Sequence, residues 1–516
     1  MSTMSADAKA GSSVFFAAEG APKRPSTFAA ASKFRHMFGT EAPKSGTFFN
    51  LQPTLVASDG PVIACNATHW AIPYNGGGGP IYVSSLSTPG KREPGCRVLH
   101  AHKAAVQDIN FSAFHADLMA AASLDCTISI WNNACSSSDA DIEAKPACVI
   151  GSHSNSVRTV DFHPTVPNLL VSTGLDMTIR LSDVTSGRQI SLIDTNADGG
   201  GADSVVNNVA FSLDGLSIAA ACRDKNVRVI DPRVGGRGGV VGTYTNPNLG
   251  RNSRIAWLSN QSSGSAFLTC GSISNGQRVL SLWDARKGEV VLTKSVDVNS
   301  GQLFPLLDES TGLCFLVGKG DTVVKYYETT FLGSATGGDV GSCDKAAEFQ
   351  TSLQPFAGVC MLPKQCCDLR NVECARLLKL TSDSVAPLSF YTPRSDALKE
   401  YFQDDLFPPV RSYQLDGSPS IEMFVGGAAA DAFCPALESL QPEGMVPLSQ
   451  RPTDHRRASN TRSDEFREAQ AKELAEKNRK EEEFARLQAL ANQHAKYNPN
   501  PCMDGGGADV AEDEWD

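Results

Sequence analysis

Between residues 98 and 328 the chain repeats one grammar, and that repeat restricts the fold more than any other feature. One unit has His102, an apolar run over 106–111, a second over 118–123, a turn at Asp125 and a third run over 127–131 that ends in Trp131. The next has His153, runs over 157–162 and 169–173, Asp176, and a run over 178–182 followed by Asp183, so the turn aspartates lie 51 residues apart. A third carries runs over 205–211 and 217–222, Asp224, and 226–230; a fourth ends in Trp283 and Asp284; a fifth has Asp321, a run over 323–327 and Glu328. Unit ends fall 44 to 53 residues apart, which is the length of a four-stranded β-propeller blade with variable loops.

Each recurring residue has a physical task in such a blade. The turn aspartate accepts backbone N–H groups, the histidine before the blade bonds to it, and the tryptophan fills the space between blades. His102, Ser123 and Asp125 have the residue types of a catalytic triad, but the same set recurs in degraded form in later units and no unit supplies an oxyanion loop. The scaffold reading is therefore preferred, and His102, Ser123, Asp125, Trp131, His153, Asp176, Asp224, Trp283 and Asp321 are expected to hold the blades rather than to catalyse. Five units do not close a ring. Runs over 63–67, 70–73 and 81–85 supply an early blade, and runs over 356–361, 374–380 and 387–391 a late one. The expected fold is all-β, a seven-bladed propeller over residues 33–400 whose closure removes free sheet edges.

Charge and cysteine usage exclude several function classes. A net charge of −11 argues against general binding to nucleic acid or anionic membranes. There is no run of eighteen apolar residues, so no membrane span is expected, and residues 1–32 carry Asp7 and Glu19 without an apolar segment of signal-peptide length. Those 32 residues, rich in Ala, Ser and Gly, are expected to be disordered. Fifteen cysteines are scattered through apolar runs and read as reduced core thiols of a cytoplasmic protein. The densest group, Cys360, Cys366, Cys367 and Cys374, lacks a Cys-x-x-Cys pair or a nearby His, so neither a metal nor a cofactor is expected.

Outside the repeat, ordered stretches carry a resemblance. Ser32-Lys33-Phe34-Arg35-His36-Met37-Phe38-Gly39 is similar to the signature that opens coronins, just before the first propeller strand. Residues 221–225 (ACRDK) and 227–233 (VRVIDPR) resemble that family's third repeat, and Gly318-Lys319-Gly320-Asp321 with Tyr326-Tyr327-Glu328 its fifth. Met361-Leu362-Pro363-Lys364, Cys374-Ala375-Arg376 and residues 401–408 (YFQDDLFP) resemble the extension that follows the propeller. The resemblance, over roughly residues 32–410, implies a WD-repeat propeller that binds actin filaments at the actin cytoskeleton, a variable linker, an oligomerising C-terminal coiled coil and no catalytic residues. Where coronins often place an arginine used in filament contact, this chain has Gln52. The candidate contacts are the basic islands Lys33, Arg35, Lys44, Lys91 and Arg92 on an otherwise acidic chain. The rival reading is a general WD-repeat adaptor in trafficking or signalling without direct actin binding.

Residues 401–462 are expected to form a post-propeller extension and flexible linker, because from 411 onward they are rich in Pro, Ser, Gly and Ala without periodicity. The stretch ends in a basic patch where Arg456-Arg457-Ala458-Ser459 has the form of a kinase site. Residues 463–497 contain neither Pro nor Gly, start on a plausible N-cap, Ser463, and carry four acid-first i,i+4 ion pairs, which predicts a helix. Phe484, Leu487, Leu490 and Ala491 are its candidate oligomerisation residues; Lys477 and Lys480 fall on the same seam, and the oligomer number stays open. Residues 498–516 end in Glu512, Asp513, Glu514, Trp515 and Asp516, with no basic residue after Lys496. This acidic tail is similar to those of nucleation-promoting factors that dock on the Arp2/3 complex, where an aromatic anchor fills a pocket while carboxylates face basic residues.

Overall fold

A computed structural model describes residues 32–451 apart from short stretches, the longest being 136–144, 197–203, 259–265 and 333–339. Six antiparallel four-stranded sheets and one larger sheet make seven blades. The repeat explains five of them, and the early runs over 63–85 supply a sixth. Blade 2, for example, pairs Val106–Phe111, Met119–Ser123, Ile128–Trp131 and Cys148–Ile150 in sequence order. Its second strand reads Met-Ala-Ala-Ala-Ser and is buried along its whole length, as is the Ile-Ala-Ala-Ala-Cys strand Ile218–Cys222 of blade 4. Strands covered on both faces read as continuous apolar runs, and small side chains let neighbouring blades approach. Outer strands alternate instead: Val240–Thr245 is half-buried and exposed in turn along its six residues.

The seventh blade is built from both halves of the chain. Gly358–Met361, Glu373–Leu380 and Ser384–Tyr391 are its inner strands, and residues near the N-terminus close it. Phe38–Glu41 runs antiparallel to the strand Ser384–Tyr391, with Phe38 opposite Tyr391, and Phe48–Phe49 continues the pairing opposite Val385 and Ser384. The opening signature thus does not merely precede the first propeller strand: it leads into the outer edge of the last blade. Phe34 and Met37 anchor it in a core cluster with Phe315, Tyr326 and Phe390, where the Tyr326 hydroxyl donates to the Met37 carbonyl.

Residues 401–448 also differ from expectation. Phe402, Leu406 and Phe407 join the cluster around Phe34 and Met37. Val410–Arg411 then pairs with Leu437–Glu438, and Phe424 and Phe433 are fully buried against blades 3 and 4 beside Val166 and Leu216. The flexible-linker reading therefore fails from 411 to 448: this segment is docked on the propeller. A few isolated aromatics hold it, and these have no periodicity to read. The residues expected to form the disordered start, the helix over 463–497 and the acidic tail lie outside the described residues, apart from Ser32. Among the described residues no helix is long and apolar enough to cross a membrane.

Candidate functional site

The recurring histidines and aspartates form buried hydrogen-bond ladders. His102 Nδ1 lies 3.2 Å from Asp125 and 3.1 Å from Thr127 Oγ1; its Nε2 lies 2.8 Å from Ser129 Oγ, which accepts the Trp131 indole N–H at 3.0 Å. Burial holds the His102 pKa below the usual imidazole value even though Asp125 pulls the other way. Ser123 is not in this ladder. Its hydroxyl points at the carbonyls of Ala104 and Ala105 at 3.0 and 3.2 Å, so the serine bonded to His102 is Ser129, which the sequence reading missed. In blade 3 His153 joins Asp176 at 3.0 Å to Ser172 at 2.8 Å. Burial raises the Asp176 pKa, but the hydrogen bond and charge of His153 outweigh it and the carboxyl ends well below its ordinary range.

Arginine replaces histidine in later blades. Arg228, 1% exposed, grips Asp224 at 2.7 Å; Arg278, equally buried, bonds Asp297 at 2.5 Å and Asp321 of the next blade at 2.6 Å. Trp283 donates to Thr269 Oγ1 at 2.8 Å and stacks on Phe267 with ring centroids 5.6 Å apart. These groups are engaged in joining strands, although the Nε of Arg228 is enclosed without an acceptor among the described residues. The clustered thiols are engaged too. Cys65 Sγ donates to the Met361 carbonyl and Cys366 Sγ to that of Ala67, and burial pushes Cys360 and Cys366 above the ordinary thiol range.

The basic candidates fall into two groups on the closing sheet. Lys91 pairs with Phe49, opposite Ser384, while Lys33 and Arg35 precede Phe38, opposite Tyr391. About 24 Å of strand separates those two ends. Lys33 Nζ donates to the Asp405 carbonyl at 2.9 Å; Arg35 is exposed. At the other end the 3₁₀ turn Lys44–Gly46 lies beside the short strand Gly90–Lys91, because Gly90 N–H donates to the Thr47 carbonyl at 3.0 Å. Lys44 and Lys91 are exposed, and neither has a carboxylate partner among the described residues. Arg92 is half-buried: its guanidinium lies 4.6 and 4.9 Å from the rings of Tyr74 and Tyr82 and donates to the Tyr74 hydroxyl. Gln52 is exposed at this same end, its carbonyl accepting from the N–H of Asn75, next to Tyr74. The structure thus assembles Lys44, Lys91, Arg92 and Gln52 and leaves Lys33 and Arg35 apart. Tyr74 and Tyr82, which immobilise Arg92, gave no signal in the sequence.

The comparisons with known proteins agree with this architecture. A family model described as a domain of unknown function (DUF1899) matches residues 27–91, which contain the opening signature and the closing strands, and the WD domain, G-beta repeat, matches 95–132, 144–183 and 198–231. Coronin-7 of Homo sapiens is 31% identical over 497 residues, covering 94% of this chain and 49% of its own length. The coronin-like protein crn1 of Schizosaccharomyces pombe is 30% identical over 412 residues, covering 78% of this chain and 63% of its own. The chain thus spans about half the length of the Coronin-7 relatives it matches. The crystal structure of the WD40 domain from Toxoplasma gondii coronin superposes with a TM-score of 0.68 at 23% identity, covering 79% of this chain and 98% of that one. Repeat, closing strands and relatives converge on one assignment: the chain belongs to the coronin family.

Proposed function

We propose that this protein is a non-enzymatic scaffold that binds actin filaments and brings the Arp2/3 complex to them. The observation that carries the reading is the basic edge of the closing sheet. On a chain of net charge −11, Lys44 and Lys91 are exposed on two touching elements and have no carboxylate partner among the described residues, so this edge presents positive charge that suits an acidic protein surface. Arg92, stacked between two tyrosines, holds the edge in shape. Gln52 removes one cation from that edge, which places the burden of filament contact on the two lysines.

The linkage to nucleation rests on the tail sequence. Trp515 is the only aromatic residue after Tyr497, and it stands among Glu512, Asp513, Glu514 and Asp516. An aromatic anchor in a desolvated pocket flanked by charge pairs is the usual composition of a binding hot spot. The predicted helix with Phe484 and Leu487 would make the scaffold multivalent, which raises filament avidity without new contacts. Co-sedimentation with actin filaments, comparing the full chain with a chain ending at residue 451, tests the division of labour. Both should pellet with filaments, and only the full chain should carry purified Arp2/3 complex into the pellet. A shortened chain that stays in the supernatant would move filament binding out of the propeller.

A further inference from the structure

The buried arginines of the propeller are not treated alike. Arg228 and Arg278 each face carboxylates, whereas Arg254, 5% exposed at the start of the inner strand Arg254–Leu258, has no hydrogen-bond or ion-pair partner for its side chain among the described residues. Its Nε is wholly enclosed without an acceptor, and the Phe304 ring lies 5.5 Å from its guanidinium. Asp108 acts on it as an opposing charge without an ion pair, its two oxygens accepting the N–H groups of Ile109 and Val160, each at 3.1 Å. Lys319 and Arg158 feel Arg254 as a like charge. Arg158 is paired with Asp59, while Lys319 Nζ donates to the Ser58 carbonyl at 3.0 Å and has no carboxylate partner among the described residues.

Two buried amides belong to the same cluster. Ser58 Oγ donates to the Gln107 carbonyl and Lys319 N–H to the Gln302 carbonyl, both at 2.8 Å, and the Nε2 groups of Gln107 and Gln302 have no hydrogen-bond partner among the described residues. Arg254 lines a chamber of about 430 Å³ whose walls also carry Asn110, Asn208 and the carboxylates of Asp161 and Glu309. The unmet groups named here are all donors. A buried guanidinium without a paired anion is costly, and a buried donor without an acceptor is destabilising. A ligand that satisfies these donors and their charge is rich in acceptors and negatively charged, and the planar fork of arginine matches phosphate oxygens two at a time. Burial pushes the Asp161 carboxyl up to about 7, so it can be neutral beside such an anion.

We propose that the cluster around Arg254 binds a small, soluble phosphate-bearing anion, with Arg254 as its principal ligand and Lys319 as its second. A lipid headgroup is the wrong source, because Arg254 lies inside the ring, where a bilayer surface does not reach. Titration calorimetry of the full chain with inorganic pyrophosphate at fixed ionic strength tests this. Binding by the unmodified protein should weaken about thirtyfold in Arg254→Met and about fivefold in Lys319→Met. Without ligand, Arg254→Met should melt no lower than the parent, since it removes an uncompensated buried charge. Absence of pyrophosphate binding at millimolar concentration, or equal affinity in Arg254→Met, would overturn the proposal. Should Arg254→Met fail to fold, Lys319→Met decides, and unchanged affinity there overturns it as well. Filament binding is read separately and stays unchanged in both variants.

Discussion

Replacing Phe424 by alanine separates a docked extension from a linker. The phenyl ring is fully buried and packs edge-on against His163, with centroids 4.9 Å apart, and against Phe433 at 5.8 Å. Removing a buried Phe costs ~3–5 kcal/mol. That loss falls on a segment held by few other groups: Phe433, the two-residue pairing of Val410–Arg411 with Leu437–Glu438, and the Arg411–Glu309 ion pair at 3.2 Å. A local loss of ~3 kcal/mol multiplies the open population about a hundredfold, because each 1.4 kcal/mol is a factor of ten. Amide hydrogen exchange followed by mass spectrometry should accelerate by about that factor over residues 420–434 and stay unchanged in the buried strand Met119–Ser123. Unchanged exchange in the extension, or equal acceleration in every blade, would refute the idea that Phe424 pins a segment that opens independently of the ring.

The remaining predictions test other parts of the account. His163 Nε2 lies 3.1 Å from the Gly215 carbonyl, and its Nδ1 accepts the N–H groups of Thr165 and Val166 at 3.2 and 3.0 Å, so the ring is neutral; burial, with the charge of Arg411, pulls its pKa down to about 3. Its contribution is complete above the unfolded value of 6.5 and is lost as pH falls toward 3, so extension amides should lose protection on acidification, and pH-independent protection from 7 to 4 would contradict this. Asp161 has the opposite sign: burial raises it, so its charge costs stability as pH rises through about 7, and Asp161→Asn should raise the melting temperature at pH 8 more than at pH 5. Deleting residues 1–50 removes the closing strands and should yield aggregating protein; a soluble monomer with unchanged melting temperature would show that the ring closes without them. Phe484→Ala with Leu487→Ala should reduce the light-scattering mass to that of a monomer, and an unchanged oligomer would place assembly elsewhere.

Most of the ring was legible because its information is local. A blade is a run of adjacent antiparallel strands, so spacing and turn aspartates announce it within about fifty residues. Closure was not legible, since Phe38 meets Tyr391 across the whole propeller and nothing near Phe38 marks the partner. The ladder serine was not legible for a similar reason: Ser123 and Ser129 flank the same turn, and only the path of the hairpin decides that Ser129 faces His102. Composition misled at 411–448, where Pro, Gly and Ser suggested a linker while Tyr413, Phe424 and Phe433 supplied the burial. Of the basic candidates, sequence named the residues but not their grouping, because Lys44 and Lys91 become neighbours through the parallel pairing of Phe48 and Phe49 with Gly90 and Lys91.

Filament co-sedimentation of the full chain carrying Lys44→Glu and Lys91→Glu tests the central claim most directly. Both side chains are exposed and support no ion pair among the described residues, so the fold should keep its melting temperature. The double reversal should weaken filament binding about tenfold or more at low salt, with the difference shrinking as salt screens the contact. Equal pelleting of the reversed and unmodified proteins at every salt concentration would contradict the assignment of this edge as the filament-binding surface.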